Sequence, residues 1–258
     1  MRIATWNING LRARLDFMRL WLEARKPDIV GLQELKISDD EFPTAFFNAI
    51  GYHVVTHGQK AWNGVAILSR APVEVLERGL PGEHEFGARF IRARAGDIDF
   101  TTVYCPNGKD VGHDDFPRKL AWLDSLVRHW AGLERGGCSV LCGDFNVVPG
   151  ALDSWLGERG EGHIFHTPEE RARFAALLQL GLFDLFREKH PDRQAFSWWD
   201  YRGGAFHRGQ GLRIDLILGS AAALARVKDV EIDRDFRKKQ NDFIASDHAP
   251  VFVDLADQ

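Results

Sequence analysis

Asn7, Glu34, Tyr104 and Asp144 share one sequence setting, since each closes a short apolar run. Asn7 follows Ile3-Ala4-Thr5-Trp6, Glu34 comes after Ile29-Val30-Gly31-Leu32, Tyr104 after residues 100–103, and Asp144 after Val140-Leu141-Cys142. A polar group at the carboxyl end of a buried strand is delivered rigidly to one sheet edge, where sites of α/β folds are assembled.

Gathered on one edge, Glu34, Asp144, Asp215 and Asp247 would repel one another severely unless a cation sat among them. Oxygen-only ligands of this kind favour Mg²⁺ or Mn²⁺ over zinc. His248, next to Asp247, is the one group of the set able to carry a proton near neutral pH. Any single strand-end carboxylate is more often a cap or a solvated residue, so the weight rests on the whole set. The pairs His53/His57 and His163/His166 lack the Glu and the helical context of a zinc protease motif and read as surface or core histidines. No phosphate-cradling Gly-rich loop or nucleophile elbow is present.

The elements that must position these groups follow from periodicity. Residues 3–6 and 28–33 read as strands around a helix whose apolar face is Leu11, Leu15, Met18 and Leu22, stopping before Pro27. Residues 52–56, 64–68, 90–95 and 98–104 read as consecutive antiparallel strands. Leu120, Leu123, Val127 and Trp130 mark a second long helix, 139–142 a strand, and 168–180 a third helix with Glu169 and Glu170 in its first turn. Leu212, Ile214, Leu216 and Leu218 alternate as in a strand, as do Val251, Val253 and Leu255. Strands covered by helices, with no repeat or linker, predict one α/β domain over 1–258, a sandwich of mixed sheets.

Composition agrees with this and excludes other classes. At 258 residues, 45% hydrophobic and 27% charged, the chain is neither disordered nor fibrous. The first six residues turn polar too soon for a secretory h-region, and no apolar stretch approaches membrane-spanning length. Cys105, Cys138 and Cys142 are odd in number and scattered, so they are expected as buried reduced thiols in a cytoplasmic protein. With 33 basic and 37 acidic side chains the net charge is -4, so a nucleic-acid partner would need local patches. Two candidates are 187–213, with six basic against three acidic residues, and 234–239, with four against one.

Six words then occur in one order: Trp6-Asn7-Ile8-Asn9-Gly10-Leu11-Arg12-Ala13, Gln33-Glu34-Leu35-Lys36, Tyr104-Cys105-Pro106-Asn107-Gly108, Gly143-Asp144-Phe145-Asn146-Val147-Val148-Pro149, Leu212-Arg213-Ile214-Asp215 and Ser246-Asp247-His248-Ala249-Pro250. Together they closely resemble the exonuclease III family of apurinic/apyrimidinic (AP) endonucleases, within the endonuclease/exonuclease/phosphatase superfamily. The resemblance implies a four-layered α/β sandwich, two mixed sheets packed together and flanked by helices. It also implies a monomer that cleaves duplex DNA with Mg²⁺ or Mn²⁺, 5′ of abasic sites and at 3′ ends.

Carried over by residue, the resemblance makes Glu34 the main metal ligand, with Asn7 and Asp247 in the metal and hydrogen-bonding shell. Asp144 orients or deprotonates the attacking water, Asn146 and Asn107 contact phosphate, and Tyr104 supplies a hydroxyl as phenolate or donor. Asp215 pairs with His248, which faces the scissile phosphate. Trp198, Leu212 and Ile214 line a pocket for the abasic sugar, and the local charge of 187–213, not the resemblance, puts Arg202 and Arg208 forward as DNA contacts. Two departures bear on substrate choice, a short 149–168 segment and Leu212 where some relatives carry tryptophan, and a third, Asn9 in the place of an aspartate, bears on that residue's part in the metal shell.

Three competing readings are an exodeoxyribonuclease with little abasic-site activity, a phospholipid or inositol phosphate hydrolase of the same superfamily, and a non-catalytic nucleic-acid-binding regulator. The hydrolase would not share Leu212-Arg213-Ile214-Asp215 together with Trp198-Trp199-Asp200-Tyr201. The regulator would lack the carboxylates and the histidine pair, which are intact here.

Overall fold

Two six-stranded sheets, each built around one parallel pair, organise the computed structural model, which describes residues 1–133 and 137–256. In chain order the strands are β1 (Arg2–Asn7), β2 (Ile29–Gln33), β3 (His53–His57), β4 (Val65–Ser69), β5 (Val73–Arg78) and β6 (Phe90–Ala95). There follow β7 (Ile98–Tyr104), β8 (Cys138–Asp144), β9 (Leu182–Asp184), β10 (Asp215–Ser220), β11 (Val227–Ile232) and β12 (Val251–Leu255). The first sheet has the order β11-β12-β1-β2-β4-β3 and the second β5-β6-β7-β8-β10-β9.

The parallel pairs β1/β2 and β7/β8 need long crossovers, and the two longest helices supply them. They are α1 (Leu11–Arg25) and, after the short α2 (Thr44–Ala49), α3 (Asp115–Gly132). Helix α1 ends where Lys26 turns left-handed and its N–H reaches Leu22 O. Helix α4 (Pro168–Gln179) starts from a Thr167/Glu170 capping box with proline in its first turn, while α5 (Leu185–Lys189) and α6 (Ala221–Leu224) are short.

Side-chain alternation makes the layers. Ile3, Ile67, Ala93, Phe100, Val140 and Cys142 point between the sheets, while Ala4, Trp6 and Leu68 face the buried side chains of α1 and α2. Val103, Leu141 and Leu216 face Trp122, Leu126 and Phe174 of α3 and α4. The result is the four-layered sandwich expected. Gly31 lets the sheets approach: a Cβ there would lie 2.5 Å from Thr102 Oγ1, an overpacking that costs roughly 1–3 kcal/mol. Gly143, at φ +143°, has room for no side chain against Val103 of the neighbouring strand.

Some expectations shift. The strands expected as one consecutive antiparallel group are split, β3 and β4 in the first sheet, β6 and β7 in the second. The strand read from Leu212 begins at Asp215; Leu212 is instead bridged to Ser154 and Trp198, outside the ladder. Strands β5, β9 and β11 escaped the pattern because one has three residues and the others are edge strands whose half-buried faces carry charges. All three cysteines are buried free thiols, and among the described residues no helix is long and apolar enough to cross a membrane.

Candidate active site

The strand directions bring every candidate catalytic group to one edge. Asn7 ends β1, Glu34 follows β2, and Tyr104 and Asp144 end β7 and β8 as register partners. Because β10 runs antiparallel to β8, Asp215 enters at this edge opposite Asp144. Strand β12 is antiparallel to β1, so the preceding Asp247 and His248 arrive there too.

Asn7 joins the two sheets: its Nδ2 donates to Glu34 Oε1 at 2.9 Å and to Asp144 Oδ2 at 3.0 Å. Around it the backbone is forced, with Asn9, Glu34, Lys36 and Asn146 all at φ between +48° and +58°. Asparagine tolerates this region, whereas glutamate and lysine adopt it only when the surroundings impose it, a form of strain found at functional sites. Asp144 Oδ1 accepts the Asn146 N–H at 2.9 Å, which fixes the turn carrying Asn146. Asn107 is exposed, its Nδ2 3.4 Å from Asn146 Oδ1.

His248 is buried, with Nδ1 2.8 Å from Asp215 Oδ2 and Nε2 4.0 Å from Asp144 Oδ2. Ser197 Oγ donates to Asp215 Oδ2 at 2.6 Å and accepts the Asp215 N–H, so Asp215 cannot turn away. Burial opposes a charge on His248, yet Asp215, then Asp247 and Asp144, push its pKa up to about 10. Burial, reinforced by Asp215 and Glu34, pushes Asp144 up to about 7. Two neighbours with pKa values driven apart make a base and an acid available together near neutral pH. Burial, with the Glu34 and Asp144 charges, holds the Tyr104 phenol well above its ordinary value, so its hydroxyl is a donor.

Glu34 is different. Burial would raise its pKa, but the Asn7 amide, Lys36 and His248 together hold it below the ordinary value. Lys36 Nζ lies 3.0 Å from Glu34 Oε2 and donates to Asn9 Oδ1 at 2.6 Å. Asn9 Nδ2 donates in turn to Asp247 Oδ1, and Trp198 Nε1 to Asp247 Oδ2 at 3.0 Å. Donor atoms of Glu34, Asp144 and His248 lie within 4.8 Å of one another. Asp247 stands outside that trio, in the hydrogen-bonding chain. With His248 a cation, the trio offers two carboxylates, which fits a hard divalent ion that keeps several waters.

Residues 4–248 match the Endonuclease/Exonuclease/phosphatase family. The chain belongs to this family. It is 35% identical to exodeoxyribonuclease III of Haemophilus influenzae, with 99% of this chain and all of that one covered. The structure of the 3′ phosphatase NExo from Neisseria bound to a product DNA hairpin is 39% identical at TM-score 0.95, and 99% of each chain is covered. An AP endonuclease from Archaeoglobus fulgidus is 35% identical at TM-score 0.93, again over 99% of both chains.

Other expected residues of this endonuclease/exonuclease/phosphatase family member fall as follows. Trp198, Leu212 and Ile214 do come together, in one apolar cluster with Val148 and Phe165; Leu212 and Ile214 are buried and Trp198 half-buried. The Arg202 side chain is 91% exposed beside Asp200, and Arg208 bonds Gly203 O. The basic stretch 187–213 is a weaker patch than its charge count implies. Arg213 is buried between Asp153 and Asp184, and Arg187 pairs with Asp153 at 2.5 Å.

Three residues received no role from the sequence. Lys36 and Ser197 carry no individual signal beyond their place beside other candidates. Lys119 does, as a lysine in the apolar stripe of Phe116, Trp122, Leu123 and Leu126. It is fully buried and donates to Asn146 O at 2.7 Å, to Asn107 O at 3.2 Å and to Glu170.

Proposed function

We propose that the chain is a DNA-repair nuclease that hydrolyses the phosphodiester 5′ of abasic sites in duplex DNA and removes nucleotides and phosphate from 3′ ends. The reading includes a monomer in the cytoplasm, in keeping with three buried free thiols. The observation that carries it is the buried Asp144 carboxylate standing 4.0 Å from the ring of His248, which Asp215 holds at 2.8 Å.

In that reaction ionised Asp144 takes the proton of the attacking water. His248, as imidazolium, and the amides of Asn146 and Asn107 stabilise the charge that builds on the phosphoryl oxygens. Tyr104 donates from the other side. Glu34, oriented by Asn7, would hold Mg²⁺ or Mn²⁺, with Asp247 acting through Asn9; when bound, the ion supplies charge neutralisation and help for the leaving 3′ oxygen. Trp198 with Leu212 and Ile214 forms the wall that admits a bare deoxyribose, while exposed Arg202, with Arg208, meets backbone phosphates.

A second reading, 3′-end processing with little abasic-site cleavage, is favoured by one observation: Leu212 and Ile214 are packed in their cluster. One gel separates the two. Labelled duplexes with a single abasic-site analogue, a recessed 3′ end or a 3′ phosphate are incubated with and without Mg²⁺. Cleavage of all three supports the first reading, of the last two alone the second, and of none overturns both.

A further inference from the structure

We propose that the cavity beside Glu34 and Tyr104 is a subsite for a nucleotide of the cleaved DNA strand, with the exposed indole of Trp62 as the platform on which its base stacks. The inference rests on the DNA-hydrolase reading above and adds a residue that the resemblance does not assign. The cavity is about 540 Å³, within the range of small-ligand sites, and runs from Glu34 and Tyr104 out to Trp62 and Arg118.

Trp62 is 72% exposed, the highest among the large hydrophobic side chains of the described residues. Its exposure is built, because its neighbours Ala61 and Asn63 both have left-handed backbones, at φ +71° and +58°. Alanine has no side-chain hydrogen bond to offset that conformation, so the fold imposes it. The imposing contacts are visible. Gln59 Oε1 accepts the Ala88 N–H at 2.9 Å and Asn63 Nδ2 at 3.0 Å, and Asn63 O accepts the Lys36 N–H at 2.9 Å. This last bond ties the Trp62 turn to the segment that carries Glu34, fixing the backbone of that turn relative to the catalytic edge.

The rest of the cavity lining pairs cations with aromatic rings. The Arg118 guanidinium lies 5.2 Å over the Phe86 ring, and Arg89 lies 4.7 Å over Tyr104. Arg118 meets Glu85 only at 3.8 Å, with both side chains more than half exposed, and so is available to a phosphate. An aromatic platform in a cleft that also carries cations is how single strands are held whatever their sequence, because every base has a π-face.

The test is binding of a fluorescein-labelled duplex with a recessed thymine-rich 3′ end, read by anisotropy in chelator so that nothing is cut. Trp62→Ala should weaken binding about tenfold, and Trp62→Phe should restore most of it. In the wild type, replacing thymine by 5,6-dihydrothymine, which loses the aromatic plane, should cause a similar loss at one position beside the scissile phosphate. At that position the two changes together should cost no more than either alone. Unchanged affinity of Trp62→Ala, or a loss indifferent to dihydrothymine at every position, overturns the subsite. If the wild type neither binds this duplex nor, with Mg²⁺, cuts it, the DNA-hydrolase reading falls as well.

Discussion

Lys119 and Glu170 form an ion pair with no solvent exposure on either side chain, directly beneath the two asparagines proposed to contact phosphate. Helix α3 supplies the lysine and α4 the glutamate, so the pair couples helix packing to the shape of the catalytic edge. Burial lowers the Lys119 pKa and Glu170 opposes that, which keeps the ammonium in place as a donor to both carbonyls.

Removing one partner of such a pair strands the other. Lys119→Met should therefore destabilise the fold by about 3–5 kcal/mol, and Lys119→Met with Glu170→Leu should recover a large part of it. Urea unfolding of the two variants checks this. Restored stability without restored activity would locate the lysine's second task in holding Asn107 and Asn146.

Asp215 and His248 are expected to act as a unit, since the carboxylate both orients the ring and keeps it charged. Asp215→Asn and His248→Ala should each cost most of the rate, and the double variant little more. Multiplicative losses in single-turnover assays would show that the two residues work independently.

How much of this was legible depended on whether position in sequence reports position in space. Asn7, Glu34, Tyr104 and Asp144 were readable because a polar residue after an apolar run marks a strand end whatever the rest of the fold does. The start of β10 was not, because the apolar alternation passes without a break from the packed cluster of Leu212 and Ile214 into the ladder at Leu216. Charge was the least legible property. Arg187 and Arg213 counted toward a DNA-facing patch, yet their partners Asp153 and Asp184 lie outside that window. The strain at Glu34 and Ala61 leaves no trace in residue type at all.

The pH dependence of kcat/KM follows from the two shifted groups. The proposed mechanism needs Asp144 ionised and His248 protonated, so activity should rise as pH passes through the Asp144 value, near 7, and fall through about 10. A divalent cation at Glu34 favours the Asp144 anion and moves the acid limb below 7. Asp215→Asn removes the strongest group favouring imidazolium and should bring the alkaline limb to lower pH. An alkaline limb that stays in place in that variant would assign it to another group.

Metal dependence should trace to Glu34. Chelator should abolish cleavage, Mg²⁺ or Mn²⁺ should restore it, and Glu34→Gln should raise the Mg²⁺ concentration needed for half-maximal rate. Asp247→Asn should do so less, since Asp247 reaches Glu34 indirectly, by way of Asn9 with Lys36 or Asn7. Titrations of rate against Mg²⁺ for both variants decide this, and a larger shift for Asp247→Asn would place that carboxylate on the ion.

Trp198 combines two possible roles that substitution can separate. Its indole N–H donates to Asp247 Oδ2 at 3.0 Å, its ring centroid is 6.4 Å from that of His248, and its backbone is bonded to Leu212 in both directions. As a wall it would select a bare deoxyribose by shape, and loss of the ring should then lower abasic-site cleavage by at least about tenfold more than cleavage at 3′ ends. Trp198→Phe keeps an aromatic surface but not the donor, so it should retain abasic selectivity while loosening Asp247. Trp198→Ala should lose selectivity. Because the backbone bonds to Leu212 survive either substitution, the melting temperature should fall only modestly in both. If Trp198→Ala instead loses stability and every activity in parallel, the indole is a packing residue and abasic-site recognition lies elsewhere on the catalytic edge.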